Sequence, residues 1–172
     1  ASDAPMNGEE LAKLKEPVLH IPTTLGAVVL SYHLPGVASG LKLKGETIAA
    51  IFLGKIKFWD DPAVSVLNPG QKLPHQAIFV AHRSDGSGTT FVFTDYLVKI
   101  SPEWKQKVGM GKAVNWPAGL GGKGNEGVTG LIKQTPGAIG YIELGYAVQN
   151  KLPVAALQNK AGNFILPTIA SI

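Results

Sequence analysis

Apolar positions in this chain come in short runs, separated by polar breaks marked by glycine and proline. The spacing of those runs switches between the two periods of regular structure. Gly8 to Lys15 reads as a short helix with Asn7 as its cap. Leu19 to Tyr32 is β-branched and apolar, broken by Pro22 and Gly26, and predicts one long strand or two short ones. Glu46 to Leu53 is helical in composition, and Gly54 suits its C-terminal cap. Asp60-Asp61-Pro62 starts a further short helix with proline in its first turn. Ala77 to Ala81 is a compact apolar run and predicts a strand, followed by a helix over Thr89 to Ile100. Ser101-Pro102-Glu103-Trp104 opens another helix. Asn125 to Lys133 predicts a helix capped by Asn125, Ala138 to Glu143 a strand and Val154 to Leu157 a last strand. Strands alternating with helices predict a layered α/β domain. Trp59, Trp104 and Trp116, with Phe52, Phe58 and Phe91, read as its packing residues.

Composition narrows the class. With 172 residues, 45% hydrophobic and 16% charged, the chain is long enough for one domain with a real core and too apolar for disorder. No run approaches the ~20 apolar residues of a membrane-spanning helix. Cysteine is absent, which removes disulfides, thiolate metal sites and a cysteine nucleophile. His20, His33, His75 and His82 show no metal-ligand spacing, so neither a metal nor another cofactor is expected. The first residue is Ala1 and no export signal is visible; the opening Ala1 to Pro5 and the ending Leu166 to Ile172 fit a processed chain or a piece of a longer one.

Net charge is +4, and fifteen of the sixteen basic residues are lysines scattered along the chain. Scattered lysine serves solubility and does not form the basic, aromatic-interleaved stripe of a nucleic-acid site. The sole arginine is Arg83, whose planar fork of donors matches carboxylate or phosphate oxygens as lysine does not.

Arg83 lies where the chemistry concentrates, in Ala77-Ile78-Phe79-Val80-Ala81-His82-Arg83-Ser84-Asp85-Gly86-Ser87-Gly88-Thr89-Thr90-Phe91. A strand ends, a glycine-bearing turn follows and a helix begins. Unpartnered amides and the helix dipole face outward at such a start. Ser87, Gly88, Thr89 and Thr90 add hydroxyls and close backbone approach, and Arg83 adds a full charge. Asp85 would repel an anion unless it pairs with Arg83 and fixes its rotamer. Two readings of these residues stay open: a site for a tetrahedral oxyanion, or a plain strand–turn–helix in which Ser87 caps, Gly86 turns and Arg83–Asp85 is a surface pair worth about 0–1 kcal/mol. His82 is a candidate to line the same cleft.

Gly119-Leu120-Gly121-Gly122-Lys123-Gly124 has the letters G-x-G-x-x-G but lacks a preceding strand, because Asn115-Trp116-Pro117 comes before it; it reads as a turn-rich loop. Gly86-Ser87-Gly88 lacks the spacers of a nucleophile elbow, and no activating base is identifiable.

Five blocks in order carry a resemblance: Ala1-Ser2-Asp3-Ala4-Pro5, Ile51 to Asp60, Arg83 to Thr89, Gly119 to Gly127 and Pro136 to Tyr141. From Asp3 to about Ile169 the chain resembles the periplasmic phosphate-binding proteins of bacterial phosphate ABC transporters, which have a type II periplasmic binding fold. The resemblance implies one lobe of that α/β fold, a mixed central sheet flanked by helices with crossing strands toward a first lobe. Residues 1–22 would be a remnant of the first lobe and a crossing segment, 23–150 the second, phosphate-binding lobe, and 151–172 the return crossing. It implies a solute-binding role without catalysis, in the periplasm or at the extracytoplasmic surface. Its ligand would be inorganic phosphate, held by Arg83, Ser87, Gly88 and Thr89, with Asp85 supporting Arg83 and Asp3 accepting the proton that phosphate carries. The partners implied are a membrane permease and a second chain or exchanged dimer that completes the cleft, with no nucleic acid. The rivals are a lobe of a phosphate-ester enzyme and a non-catalytic structural α/β domain.

Overall fold

The computed structural model describes residues 3–168 and 170. Ala1 and Ser2 of the first resemblance block, and Ile169, Ser171 and Ile172 of the ending, lie outside the described residues. Helix α1 (Gly8–Ala12) starts in a reciprocal cap: Asn7 Oδ1 accepts the Glu10 amide and Glu10 Oε2 accepts the Asn7 amide, both at 2.8 Å. The strand expected over Leu19 to Tyr32 forms only as β1 (Val28–Tyr32). Residues 19–27 form no strand, and Leu19 and Leu25 are 85% and 81% exposed. Apolar, β-branched composition favours an extended backbone but does not supply a neighbouring strand, and Pro22 has no amide to give one.

The chain continues through β2 (Lys42–Leu43), α2 (Gly45–Phe52), α3 (Pro62–Ser65), β3 (Phe79–Arg83), α4 (Gly88–Ile100) and α5 (Pro102–Lys107). Then come β4 (Leu120–Gly122), α6 (Gly124–Gln134), β5 (Ala138–Glu143), α7 (Leu144–Gln149), β6 (Ala156–Gln158) and β7 (Phe164–Ile165). The helix starts follow local chemistry. Asp61 and Ser101 cap α3 and α5 through their side chains, each with proline in the first turn, and Gly54 turns the chain after α2 at φ +73°.

The main sheet has the order β1-β5-β3-β4, with β1 antiparallel to β5 and the other pairs parallel. It is buried on both faces, which is why its strands read as continuous apolar runs. On one face Leu30, Tyr32, Val80, Ile139 and Tyr141 pack with Phe52, Trp59, Phe93, Leu97 and Trp104. On the other, Val29, Ala81 and Ile142 pack with Val128 and Ile132 of α6 and Leu144 and Ala147 of α7. The outer edge of β1 is covered by the chain at residues 153–155: Tyr32 donates to Pro153 O and Ala155 to Leu30 O. A second small sheet, β2-β6-β7, continues from that segment. Phe58 departs from the packing expectation: it is 40% exposed and stacks on His75.

The glycine-rich stretch expected as a loop contains β4, paired in parallel to β3 with Arg83 opposite Gly122. Asn125 is not the cap of α6; Lys123 holds that position without a side-chain bond, and Asn125 Oδ1 accepts the Glu143 amide at 3.2 Å. Leu-Gly-Gly has little strand propensity, so β4 owes its form to β3 on one side and α6 packed against it. A Cβ on Gly122 would lie 2.5 Å from the Gly127 carbonyl carbon and 2.6 Å from Val128 N, both backbone atoms. Gly122→Ala is therefore expected to push α6 off the sheet and cost about 1–3 kcal/mol, the range for overpacking. A urea unfolding curve with a lower midpoint and unchanged slope checks this.

Candidate functional site

β3 carries Arg83 as its last residue and α4 begins five residues later. The sheet register therefore presents the arginine and the helix start at the same end of the strands. Arg83 Nε and Nη2 donate to Asp85 Oδ1 and Oδ2 at 2.8 and 2.6 Å, a bidentate pair across one turn. The Arg83 side chain is 10% exposed and that of Asp85 33%. Asp85 Oδ1 also accepts the Gly124 amide at 3.1 Å, which ties the turn to the start of α6. Paired edge-on in this way, the guanidinium keeps its terminal edge for another acceptor.

The charges reinforce each other. Hydrogen bonds from Arg83, and then the Gly124 amide, hold the Asp85 carboxyl well below the usual carboxylate range, although burial acts against them. The hydrogen bond to Asp85 in turn raises Arg83. A carboxyl whose folded pKa is depressed stabilises the fold above its unfolded value, and the contribution fades as pH falls through the folded one. The gap in melting temperature between wild type and Asp85→Asn is thus expected to be full-sized at neutral pH and to close progressively below about pH 4. A series of melts from neutral to strongly acid buffer measures it.

Ser87, 4% exposed, caps α4: its Oγ accepts the Thr90 amide at 3.1 Å and its own amide donates to Lys112 O at 2.8 Å. The hydroxyl proton is left for a further acceptor. Gly88 and Thr89 occupy the first two helical positions, where no helical carbonyl precedes their amides. Thr89 Oγ1 donates to Asp3 Oδ2 at 2.8 Å, so the structure places Asp3 at the same helix start, 86 residues away in sequence. The segment bearing Asp3 is anchored again by Glu10, whose carboxylate takes Lys112 Nζ at 2.8 Å. All six residues singled out from the sequence, Asp3, Arg83, Asp85, Ser87, Gly88 and Thr89, therefore meet at the β3–α4 junction.

His82 does not join them. Its ring stacks on Trp116 at 4.8 Å and 13°, with Nδ1 3.0 Å from Arg83 O. Three apolar hollows of about 500, 340 and 570 Å³ lie elsewhere, and none has Arg83 or the first turn of α4 in its walls. At the junction itself Ser87, Thr89 and Thr90 are buried.

The profile of the PBP superfamily domain matches residues 1–172. The chain belongs to the PBP superfamily. Within it, the chain is 54% identical over 172 residues to the phosphate-binding protein PstS of Pasteurella multocida, covering 99% of this chain and 49% of that one. It is 51% identical over 169 residues to PstS of Haemophilus influenzae, covering 98% and 50%. The chain spans about half the length of the curated relatives it matches. Among solved structures, a high affinity periplasmic phosphate-binding protein (PfluDING) bound with phosphate superposes with a TM-score of 0.75 at 21% identity, over 98% of this chain and 50% of that one. PstS from Borrelia burgdorferi gives 0.59 at 23% identity, over 83% and 49%. At those identities the structures speak for the fold: half of a PBP superfamily protein, with helices on both faces of a mixed sheet.

Sequence reasoning passed over two supports of this candidate site. One is the Gly124 amide on Asp85. The other is Tyr141, whose buried phenol receives the Arg83 amide at 3.0 Å and meets Thr90 Oγ1 at 2.7 Å. A tyrosine in an otherwise aliphatic strand was the available signal, since a buried phenol needs a polar partner.

Proposed function

We propose that the chain binds inorganic phosphate at the β3–α4 junction, as part of the solute-binding component of an ABC-type phosphate importer. The observation that carries this reading is the single arginine, clamped edge-on by Asp85 beside the first amides of α4, with the Asp3 carboxylate at the same helix start. Arg83 offers phosphate its terminal edge; Ser87 offers its hydroxyl proton; Gly88 and Thr89 offer amides in the field of the helix dipole. Asp3 accepts the ligand's proton through whichever of its oxygens Thr89 leaves open. The relatives named phosphate-binding protein PstS support the ligand and the transport role.

In this reading residues 23–150 are the phosphate-binding lobe, with 1–22 and 151–172 as crossing segments. The protein works in the periplasm or at the extracytoplasmic surface and delivers phosphate to a membrane permease without catalysing a reaction. The chain spans about half the length of the PstS relatives, so the junction supplies one wall of a cleft that a second chain or an exchanged dimer would complete, and a lone monomer would bind weakly. A chromogenic phosphate ester is expected to show no turnover.

Calorimetric titration with phosphate and with sulfate tests the reading. Heat with phosphate and none with sulfate is expected, and silence toward millimolar phosphate refutes it. Discrimination follows from chemistry: near neutral pH phosphate keeps a proton and sulfate has none, and an ionised carboxylate is an acceptor only. Facing sulfate, Asp3 would meet an oxygen with no hydrogen between them, an unmatched contact of the kind that sets specificity. Asp3→Asn puts a donor there, so the preference for phosphate over sulfate is expected to shrink at least tenfold in the same titrations, by loss of the range for hydrogen bonds to charged groups.

A further inference from the structure

Resting on the phosphate reading, we infer that Tyr141 is a positioning residue for the anion site, its phenol oxygen setting the distance between the Arg83 backbone and the first turn of α4. The need for it is visible in the ladder. Neighbouring amides along a strand point to opposite sides. Ser84 donates to Gly122 O on the β4 side, so the Arg83 amide faces β5. There the β3–β5 pairing has already stopped, at Ala81 opposite Gly140. No backbone carbonyl is available, and Tyr141 Oη receives the Arg83 amide at 3.0 Å instead.

The same oxygen is 2.7 Å from Thr90 Oγ1, and the Thr90 amide is the one that Ser87 Oγ caps at 3.1 Å. One phenol thus bridges both ends of the turn formed by residues 84–87. Its ring is fixed in turn: 0% exposed, stacked on Phe93 at 4.5 Å and on Trp116 at 5.5 Å. Burial pushes the phenol up to about 12, with the bonds to Thr90 and the Arg83 amide acting against it, so it stays neutral. Tyr141 is fully buried behind the junction and touches Arg83 and Thr90, through which it acts.

Tyr141→Phe keeps the ring stack and removes only the bridge. Two readouts are taken on this chain. Hydrogen exchange of the Arg83 amide without any ligand is expected to speed up at least tenfold relative to that of core β5 amides. Phosphate affinity by calorimetry, measured well below the melting temperature, is expected to fall about tenfold, the scale of one or two lost hydrogen bonds. Thr90→Val, which removes the other partner, is expected to lower affinity in the same direction, and the double variant to lose less than the sum, because both changes break one bridge. Unchanged Arg83 exchange in Tyr141→Phe, faster exchange with affinity within twofold of wild type, or fully additive losses would each overturn the proposal. If Tyr141→Phe does not fold, Thr90→Val decides by phosphate affinity, where a loss is expected and affinity within twofold of wild type would overturn the proposal. If the wild type binds no phosphate, the phosphate reading fails, and the exchange measurement still decides whether Tyr141 holds Arg83.

Discussion

Arg83→Lys is expected to weaken phosphate binding by about 1.5–3 kcal/mol, the range for hydrogen bonds to charged groups, while the chain stays folded. Charge is conserved in this change, so the loss isolates geometry. The guanidinium binds both Asp85 oxygens along one edge, at 2.8 and 2.6 Å, and presents another edge to a ligand. An ammonium is a point donor on a flexible stem and does not hold two flat partners at a fixed angle. Asp85 would then be held by the Gly124 amide and a loosely placed cation, with its negative charge closer in effect to the anion. Calorimetry at fixed ionic strength measures the loss, and a circular-dichroism melt confirms folding. A change below twofold would mean that the α4 amides carry the binding without the arginine.

Trp59→Ala is expected to lower the unfolding free energy by about 3–5 kcal/mol, the usual cost of truncating a buried aromatic. Trp59 is 0% exposed and its ring sits 5.9 Å from that of Tyr32. Its indole donates to Gly137 O at 3.0 Å, and its amide to Gln76 O at 3.0 Å. Gly137, at φ +86°, makes the turn into β5, so this indole joins the connection between α2 and α3 to the strand that bears Tyr141. Trp59→Phe should cost less, because Gly137 O keeps the Phe79 amide at 3.0 Å. Urea unfolding gives both values; equal losses for the two variants would show that the indole bond, and not the filled volume, carries the effect.

What the sequence made legible is what short-range chemistry decides. Asn7, Asp61, Ser87 and Ser101 cap helices as their neighbours require, and Arg83 finds Asp85 because two residues of turn suffice to bring them edge to edge. The candidate site residues from Arg83 to Thr89 fall within one turn for the same reason. Asp3 reached the list only through resemblance, since nothing local links it to a hydroxyl 86 residues away. β4, β2 and β7 are short strands formed by their neighbours rather than by their own residues. α7 follows β5 with no intervening break and no side-chain cap, so no boundary is written there. Tyr141 needed the register: its role depends on where the β3–β5 ladder stops, which only three-dimensional pairing defines.

The stretch between α1 and β1 has a consequence for handling this protein. Among the described residues, 15–26 make no backbone hydrogen bond to the body, and Leu19, Ile21 and Leu25 stand in solvent. Such a stretch fits the extended groove of a protease better than any other part of the chain. A single cut there would leave α1 and Asp3 held by Thr89, Lys112 and a few neighbouring contacts, a nicked pair that migrates as one species in native buffer and as two in detergent.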